Sequence, residues 1–132
     1  MKLGSGIFNI IHDDYIAINI NKSLSLNGNF TGKDGRFRNG TYETVIKGGT
    51  ANNVIIKISV GNVVLDGLKL TSDFNKLLER IYAINIHSNA EIKNVTIRNC
   101  IIEQLSSTNN VDIYGVLLDA FITGFTFEYN AF

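Results

Sequence analysis

Three stretches of the chain align with one another without gaps: Asn62–Leu70 (NVVLDGLKL), Asn94–Ile102 (NVTIRNCII) and Gly124–Phe132 (GFTFEYNAF). Their first residues lie about 30 positions apart, a spacing typical of repeat proteins. Within each stretch apolar residues occupy alternate positions, as Val63 and Leu65 do in the first. Alternation is the period of a β-strand with one buried face, so each stretch is predicted to form a strand that packs on a shared core.

A second apolar segment precedes each of these stretches, and weaker versions occur near the N-terminus. A coil of about 30 residues with two or three short strands cannot bury its apolar face alone, whereas stacked coils can. The sequence therefore predicts one all-β solenoid domain over 1–132 with about four coils, in which 1–41 form an N-terminal coil or cap region and 42–132 the repeated coils. The additional strand segments are Val54–Ile58 (VIIKI), Ile81–Ile86 (IYAINI) and Ile113–Leu118 (IYGVLL), with Ile16–Ile20 (IAINI) and Leu24–Phe30 (LSLNGNF) as the weaker versions.

This arrangement resembles the right-handed parallel β-helix of the pectin-lyase-like proteins and of phage tailspikes. The resemblance is carried by NVVLDGLKL, by NVTIRNCII, by the YAINI strand that begins at Tyr82, and by Asn residues at the turns, where that family stacks Asn ladders. It covers 42–132 well and 1–41 loosely, and it implies a fold without implying one activity. A β-sandwich or jelly roll is the alternative fold, because short alternating strands at regular spacing suit it too.

One segment between the first two repeats has a helical pattern. In Asp73–Ile81 (DFNKLLERI), Phe74, Leu77, Leu78 and Ile81 follow the i, i+3, i+4, i+7 spacing of an amphipathic helix. A preceding Ser or Asp at the N-cap position is typical of a helix start. We therefore expect one short helix that decorates a coil or covers an open end of the solenoid.

Composition excludes several classes of partner. The 132 residues contain 12 basic and 12 acidic residues, so no long-range field favours nucleic acid or an anionic membrane surface. The single cysteine, Cys100, cannot form an internal disulfide, and its apolar neighbours predict a buried, unreactive thiol. The start MKLGSGIFNII is a poor secretory signal, and no run approaches the roughly 18 apolar residues of a membrane helix. No motif calls for a cofactor.

Stacking the repeats places Asp66, Arg98 and Glu128 in one column on the outside of a sheet, with successive members about 4.8 Å apart. One interpretation is a solvated ladder of ion pairs. The other is a saccharide-binding or catalytic face, because two carboxylates about 6.5–9.5 Å apart suit an inverting glycosidase. Arg98 between them would keep both carboxylates ionised, which suits a base better than an acid.

The loop over 32–40 gathers three cations, one aromatic residue and three glycines. Arginine binds carboxylates and phosphates through two parallel hydrogen bonds, and aromatic rings stack on sugars. The loop is thus the best candidate for contact with an acidic ligand or a partner chain, although a solvated turn that protrudes between strands is the simpler explanation. The candidate ligand-binding residues are Lys33, Arg36, Phe37, Arg38 and Tyr42.

No metal site is predicted. His12, Asp13 and Asp14 are the one cluster of metal-binding residue types, and two ligands on one strand face do not make a site. Tyr82 and Tyr114 lie near strand starts, where stacked aromatic side chains are usually packing and otherwise a sugar-binding strip.

The expected function is a non-enzymatic structural or attachment protein, such as a virion fibre, spike or capsid-decorating component, at a virion or extracellular surface. We expect it to assemble with copies of itself, by analogy with phage fibres as a homotrimer, or with other virion or surface proteins, and to contact polysaccharides. The alternatives are a polysaccharide lyase or glycoside hydrolase, with Asp66, Arg98 and Glu128 as its catalytic residues, and a cell-surface carbohydrate-binding module. A chain of four coils is short for a catalytic groove that holds several sugars.

Overall fold

The alternating apolar residues of the repeats form short strands separated by tight turns. The computed structural model describes residues 1–10, 15–49, 53–74, 80–107 and 112–132. Within them lie twelve strands and one 3₁₀ helix, Gly35–Phe37. The strands are β1 Gly6–Asn9, β2 Ile16–Ile20, β3 Leu24–Asn27, β4 Thr44–Gly48, β5 Val54–Ile58, β6 Val63–Asp66, β7 Leu68–Phe74, β8 Arg80–His87, β9 Ile92–Arg98, β10 Ile101–Ser107, β11 Asp112–Asp119 and β12 Ile122–Glu128.

The strands make three parallel four-stranded sheets, in the orders β1-β4-β7-β10, β11-β8-β5-β2 and β12-β9-β6-β3. Each sheet takes every third strand, so three consecutive strands complete one turn of the chain. Coil 1 contains β1–β3, coil 2 β4–β6, coil 3 β7–β9 and coil 4 β10–β12. The fold is therefore an all-β parallel solenoid of four coils, as the repeats predict. The sandwich and jelly-roll alternatives are wrong, because every strand pair of the described residues is parallel.

The register between coils is the one that the aligned repeats predict. Val63 pairs with Val95, and Val95 with Phe125. Leu65 pairs with Ile97 in the same way, and both side chains are fully buried. Core residues thus form columns that run through the coils, and each column buries apolar surface between successive strands.

The turns of successive coils repeat the same backbone conformation. Asn62 and Asn94 both have positive φ, and Asn94 Nδ2 donates a hydrogen bond of 3.1 Å to Asn62 Oδ1. Asparagine tolerates the left-handed conformation better than most residues, and its amide can bond the amide of the next coil. The expected Asn ladder is present at this turn. The stacked tyrosines are confirmed as well, since the rings of Tyr82 and Tyr114 lie 5.4 Å apart.

The bounds of the predicted helix are wrong at both ends. Asp73 and Phe74 belong to β7, and Arg80 and Ile81 begin β8. The remainder of that prediction, 75–79, lies outside the described residues. β7 pairs with β4 and β10, and β8 pairs with β5 and β11. At both ends of the predicted helix this strand pairing outweighs the local helical periodicity. In the described part of the chain no helix is long and apolar enough to cross a membrane.

Candidate functional site

The column of charged residues lies at the corner where β6, β9 and β12 end. Asp66 is in register with Arg98, and Arg98 with Glu128. The structure therefore brings the three candidate catalytic residues together as the repeats predict. The expectation that the whole column faces solvent is wrong at Asp66, whose relative exposure is 1%.

Asp66 is buried because its carboxylate binds three groups from different parts of the chain. Its Oδ1 accepts hydrogen bonds from Asn99 Nδ2 at 2.8 Å and from the backbone nitrogen of Gly32 at 3.1 Å. Its Oδ2 accepts one from Arg98 Nε at 2.8 Å. A carboxylate that is satisfied in this way stabilises the corner, and it has no open oxygen with which to activate water or protonate a leaving group.

The loop between β3 and β4 folds down onto this corner. We call 29–43 the strap. The backbone nitrogen of Gly32 donates to Asp66, and that of Gly35 donates to the carbonyl of Tyr129 at 2.9 Å. The Asp34 side chain caps the 3₁₀ helix of the strap by accepting from the backbone nitrogen of Arg36 at 3.0 Å. The strap thus contacts coils 2, 3 and 4, so it lies along the solenoid and does not protrude freely, although most of its residues are exposed as a solvated turn predicts.

Arg38 fastens the strap and is not available to a ligand. Its side chain is 5% exposed, and its Nη1 donates to the carbonyl of Asn99 at 2.7 Å. Its Nη2 donates to the carbonyl of Leu68 at 3.3 Å, and its Nε forms an ion pair of 3.1 Å with the buried Glu43. Burial raises the pKa of Glu43, while the positive charges of Arg38 and Lys69 act in the opposite direction.

The other four candidate ligand-binding residues of the loop remain at the surface. Phe37 and Tyr42 are 83% and 74% exposed, and Lys33 is exposed as well. Arg36 forms a double hydrogen bond with Asp34, which lowers the pKa of that carboxyl and raises that of the guanidinium. The Arg36 guanidinium also lies 5.5 Å from the Phe37 ring and 5.7 Å from the ring of Tyr129. Of the three loop cations, two therefore face solvent.

Strap and corner together enclose a groove of about 410 Å³. The sequence offered the loop and the column as two separate candidates, and the structure joins them into one site. No signal in the sequence predicts this contact, because it depends on the path of the strap across the coils. The groove is lined by Gly32, Asp34, Arg98, Asn99, Glu128 and Tyr129.

A second surface lies at the last coil, where the core columns reach the end of the described solenoid. Phe127 is 37% exposed, although Leu65 and Ile97 in the same column are fully buried. Leu118 is 47% exposed above the fully buried Ile86. We define the open end as the residues around an apolar pocket of about 300 Å³, namely Gly115, Val116, Leu118, Phe125, Phe127 and Phe132.

Two further candidates from the sequence are Cys100 and the metal-binding residue types near His12. Cys100 is fully buried, its Sγ donates to the carbonyl of Arg98 at 3.2 Å, and burial raises the pKa of its thiol to about 11. The predicted burial of the thiol is confirmed. His12, Asp13 and Asp14 lie outside the described residues. Among those described, no group of three His, Cys, Asp or Glu side chains could hold a metal ion.

Comparisons of the chain with protein-family models, with curated proteins and with solved structures returned no match. The resemblance to pectin-lyase-like proteins and tailspikes therefore stays a prediction beyond the coarse fold. Function has to be inferred from the groove and the open end.

Proposed function

We propose that the chain is a non-enzymatic structural or attachment component, such as a virion fibre, spike or capsid-decorating protein, that assembles with other chains through the open end. The observation that carries this proposal is the exposure of core-facing side chains on coil 4. The same column positions are fully buried in coils 2 and 3. Burying a fully exposed large apolar side chain contributes about 1.5–3 kcal/mol, so covering Phe127 and Leu118, which are 37% and 47% exposed, contributes a part of that each.

Backbone geometry supports the same use of this end. β11 and β12 are the last strands of their sheets, so their outer edges carry no strand of the described chain. The outer edge of β10, in the remaining sheet, is partly covered, since Ala131 bridges to Ile101. Exposed strand edges next to exposed apolar side chains favour pairing with a further strand.

The corner supports a structural role over glycoside hydrolysis. That reaction needs two carboxyl groups open to substrate, and Asp66 is buried with both of its oxygens hydrogen-bonded. We expect a panel of acidic and neutral polysaccharides to keep its chain length during incubation with the protein. Shortening that Arg98→Ala or Glu128→Ala abolishes would contradict a non-enzymatic function.

Light scattering at about 10 µM, with and without 1 M salt, tests the assembly surface. At 1 M salt the Debye length is about 3 Å, so repulsion between like-charged ends is screened and apolar contacts decide. We expect wild type to associate in high salt and Phe127→Glu to stay monomeric. The matched control is Thr126→Glu, an exposed neighbour on the same strand that should associate as wild type does. A particle of three subunits would support the predicted homotrimer, and monomers in all conditions would exclude this end as a surface for self-assembly.

The groove favours a second role, which is saccharide binding. Its carboxylates and Arg98 provide hydrogen-bond partners for hydroxyl groups, and the Tyr129 ring is half exposed. Titration of the protein with the same polysaccharides measures this role. We expect Tyr129→Ala to weaken any saccharide binding and Tyr42→Ala, at an exposed tyrosine that does not line the groove, to leave it unchanged.

A further inference from the structure

The last coil differs from the rest of the chain in charge. Residues 101–132 contain four of the 12 acidic residues and none of the 12 basic residues, so 1–100 hold eight acidic and all 12 basic ones. Coil 4 is therefore acidic, and we call its four acidic residues the rim. The rim is formed by Glu103, Asp112, Asp119 and Glu128.

Three of these acids lie in register above residues of coil 3 that carry or can carry positive charge. Asp112 pairs with Arg80, Asp119 with His87 and Glu128 with Arg98. The contact is direct at Asp119, whose Oδ2 lies 2.8 Å from His87 Nδ1.

The fourth acid, Glu103, forms an ion pair with Lys69 of β7. Opposite charges on neighbouring strands stabilise their pairing, and like charges oppose it. Coil 3 thus places basic residues beneath all four acidic residues of coil 4. This is the charge pattern that a strand on the other side of coil 4 would have to repeat.

We propose that the open end binds an edge strand of a different polypeptide in which Lys or Arg alternates with apolar residues. This inference rests on the proposed function and names the chemistry of its partner. The apolar side chains of that strand enter the pocket between Leu118 and Phe127. A strand paired with β11 places a cation over Asp119, and a strand paired with β12 places one over Glu128, as His87 and Arg98 of coil 3 lie beneath these two acids. The backbone pairs with the outer edge of β11 or β12.

The rim selects against two copies of this chain meeting end to end. Such a contact would oppose four acidic residues with four acidic residues, and like charges across an interface weaken it. Salt consequently has opposite effects on the two kinds of contact. It weakens the binding of a basic strand and strengthens association between two acidic ends.

Two synthetic eight-residue peptides test the proposal, one alternating Val with Lys and the other Val with Glu. Each is titrated into the isotope-labelled full chain at low salt, and amide chemical shifts locate the binding. We expect the Lys peptide to shift the amides of β11 and β12 and the Glu peptide to shift none. Asp119→Asn combined with Glu128→Gln should weaken Lys-peptide binding by about tenfold, as should 0.5 M salt. The matched control is Glu91→Gln, an exposed acid of coil 3 outside the rim, which should leave binding unchanged.

Three results would overturn the proposal: no binding of the Lys peptide, equal binding of both peptides, or binding that Phe127→Glu leaves intact. Failure here is distinguishable from failure of the proposed function. If wild type associates in high salt through Phe127 but ignores the Lys peptide, the open end is an assembly surface for a second copy. If it does neither, the proposed function fails as well.

Discussion

At Gly67 the corner of coil 2 requires a residue without a side chain. Its φ is +71°, and an added Cβ would collide with the backbone of Phe30 and Thr31 in the strap. The equivalent corners of coils 3 and 4 hold Asn99 and Tyr129, also at positive φ. The backbone conformation of the corner therefore repeats in coils 2, 3 and 4. Glycine is necessary in coil 2 because the strap approaches Gly67 closely.

Gly67→Ala should lower the free energy of unfolding by about 3 kcal/mol, since left-handed strain and overpacking each cost about 1–2 kcal/mol. Urea denaturation measures the loss. Gly32→Ala is the control, because Gly32 has φ +76° but no atom within 4 Å of an added Cβ. It should show the strain alone, and equal losses for both variants would mean that the close approach at Gly67 is not tight.

Glu43 gives the stability a specific dependence on pH. Its pKa in the folded protein lies above the ordinary value of 4.5 because the carboxyl is buried, so the folded state holds this proton more tightly than the unfolded state does. Its contribution to stability is fully present below pH 4.5 and is lost as the pH rises through the folded pKa. Glu43→Gln should remove this decline from urea denaturation measured at a series of pH values.

Asp34 provides the contrast for that measurement. Arg36 lowers its pKa below the ordinary value of 3.8, so its contribution is present above that pH and is lost as the pH falls further. Asp34→Asn should leave the slope above pH 4.5 unchanged. A slope there that survives Glu43→Gln would assign it to another group.

At the scale of elements, the strap is the part that the sequence described least well. Strand positions could be predicted because alternation and turn residues are local signals. The direction of the strap depends on Arg38, which reaches backbone carbonyls of Leu68 and Asn99 far along the chain. The composition of the loop predicts a cationic surface. In the structure one of its three cations, Arg38, is instead buried and holds the strap against coil 3.

Arg38→Ala should lower the free energy of unfolding by about 3–5 kcal/mol, because it leaves the buried Glu43 without its partner. Chemical denaturation tests this. Arg38→Met combined with Glu43→Leu should recover much of the loss, since it removes both charges and keeps apolar volume. Arg36→Ala, which breaks a pair at the surface, should change stability little, and a similar loss there would show that the strap is not held by Arg38.

At the scale of the whole molecule, burial is greatest in the middle coils. The core residues of β5, β8 and β9 are almost fully buried, whereas β1 is exposed along its length and β11 is partly exposed. Strands pair only with strands of neighbouring coils, so local opening is expected to begin at the exposed ends.

Hydrogen exchange should therefore be slowest in the hydrogen-bonded amides of β5, β8 and β9 and fastest in those of β1 and β11. Exchange read by NMR or by mass spectrometry of peptides gives the order. Binding of the basic peptide should slow exchange in β11 and β12 and leave β1 unchanged. Uniform protection in all four coils would indicate that the solenoid opens as a single unit.

The sequence by itself determined the repeat, the register of the charged column and the all-β solenoid, because alternation and a period of about 30 residues follow directly from how strands and coils bury apolar surface. Only the tertiary structure decided that Asp66 is buried, that Arg38 is a clamp and that the loop and the column share one groove. Those features depend on contacts between residues far apart in the chain, such as Arg38 with Asn99 and Gly35 with Tyr129, which no local pattern encodes. It also decided how far apolar residues of one column are buried, since Phe127 and Ile97 have the same alternation, and among the described strands β12 lies above Ile97 while none lies above Phe127.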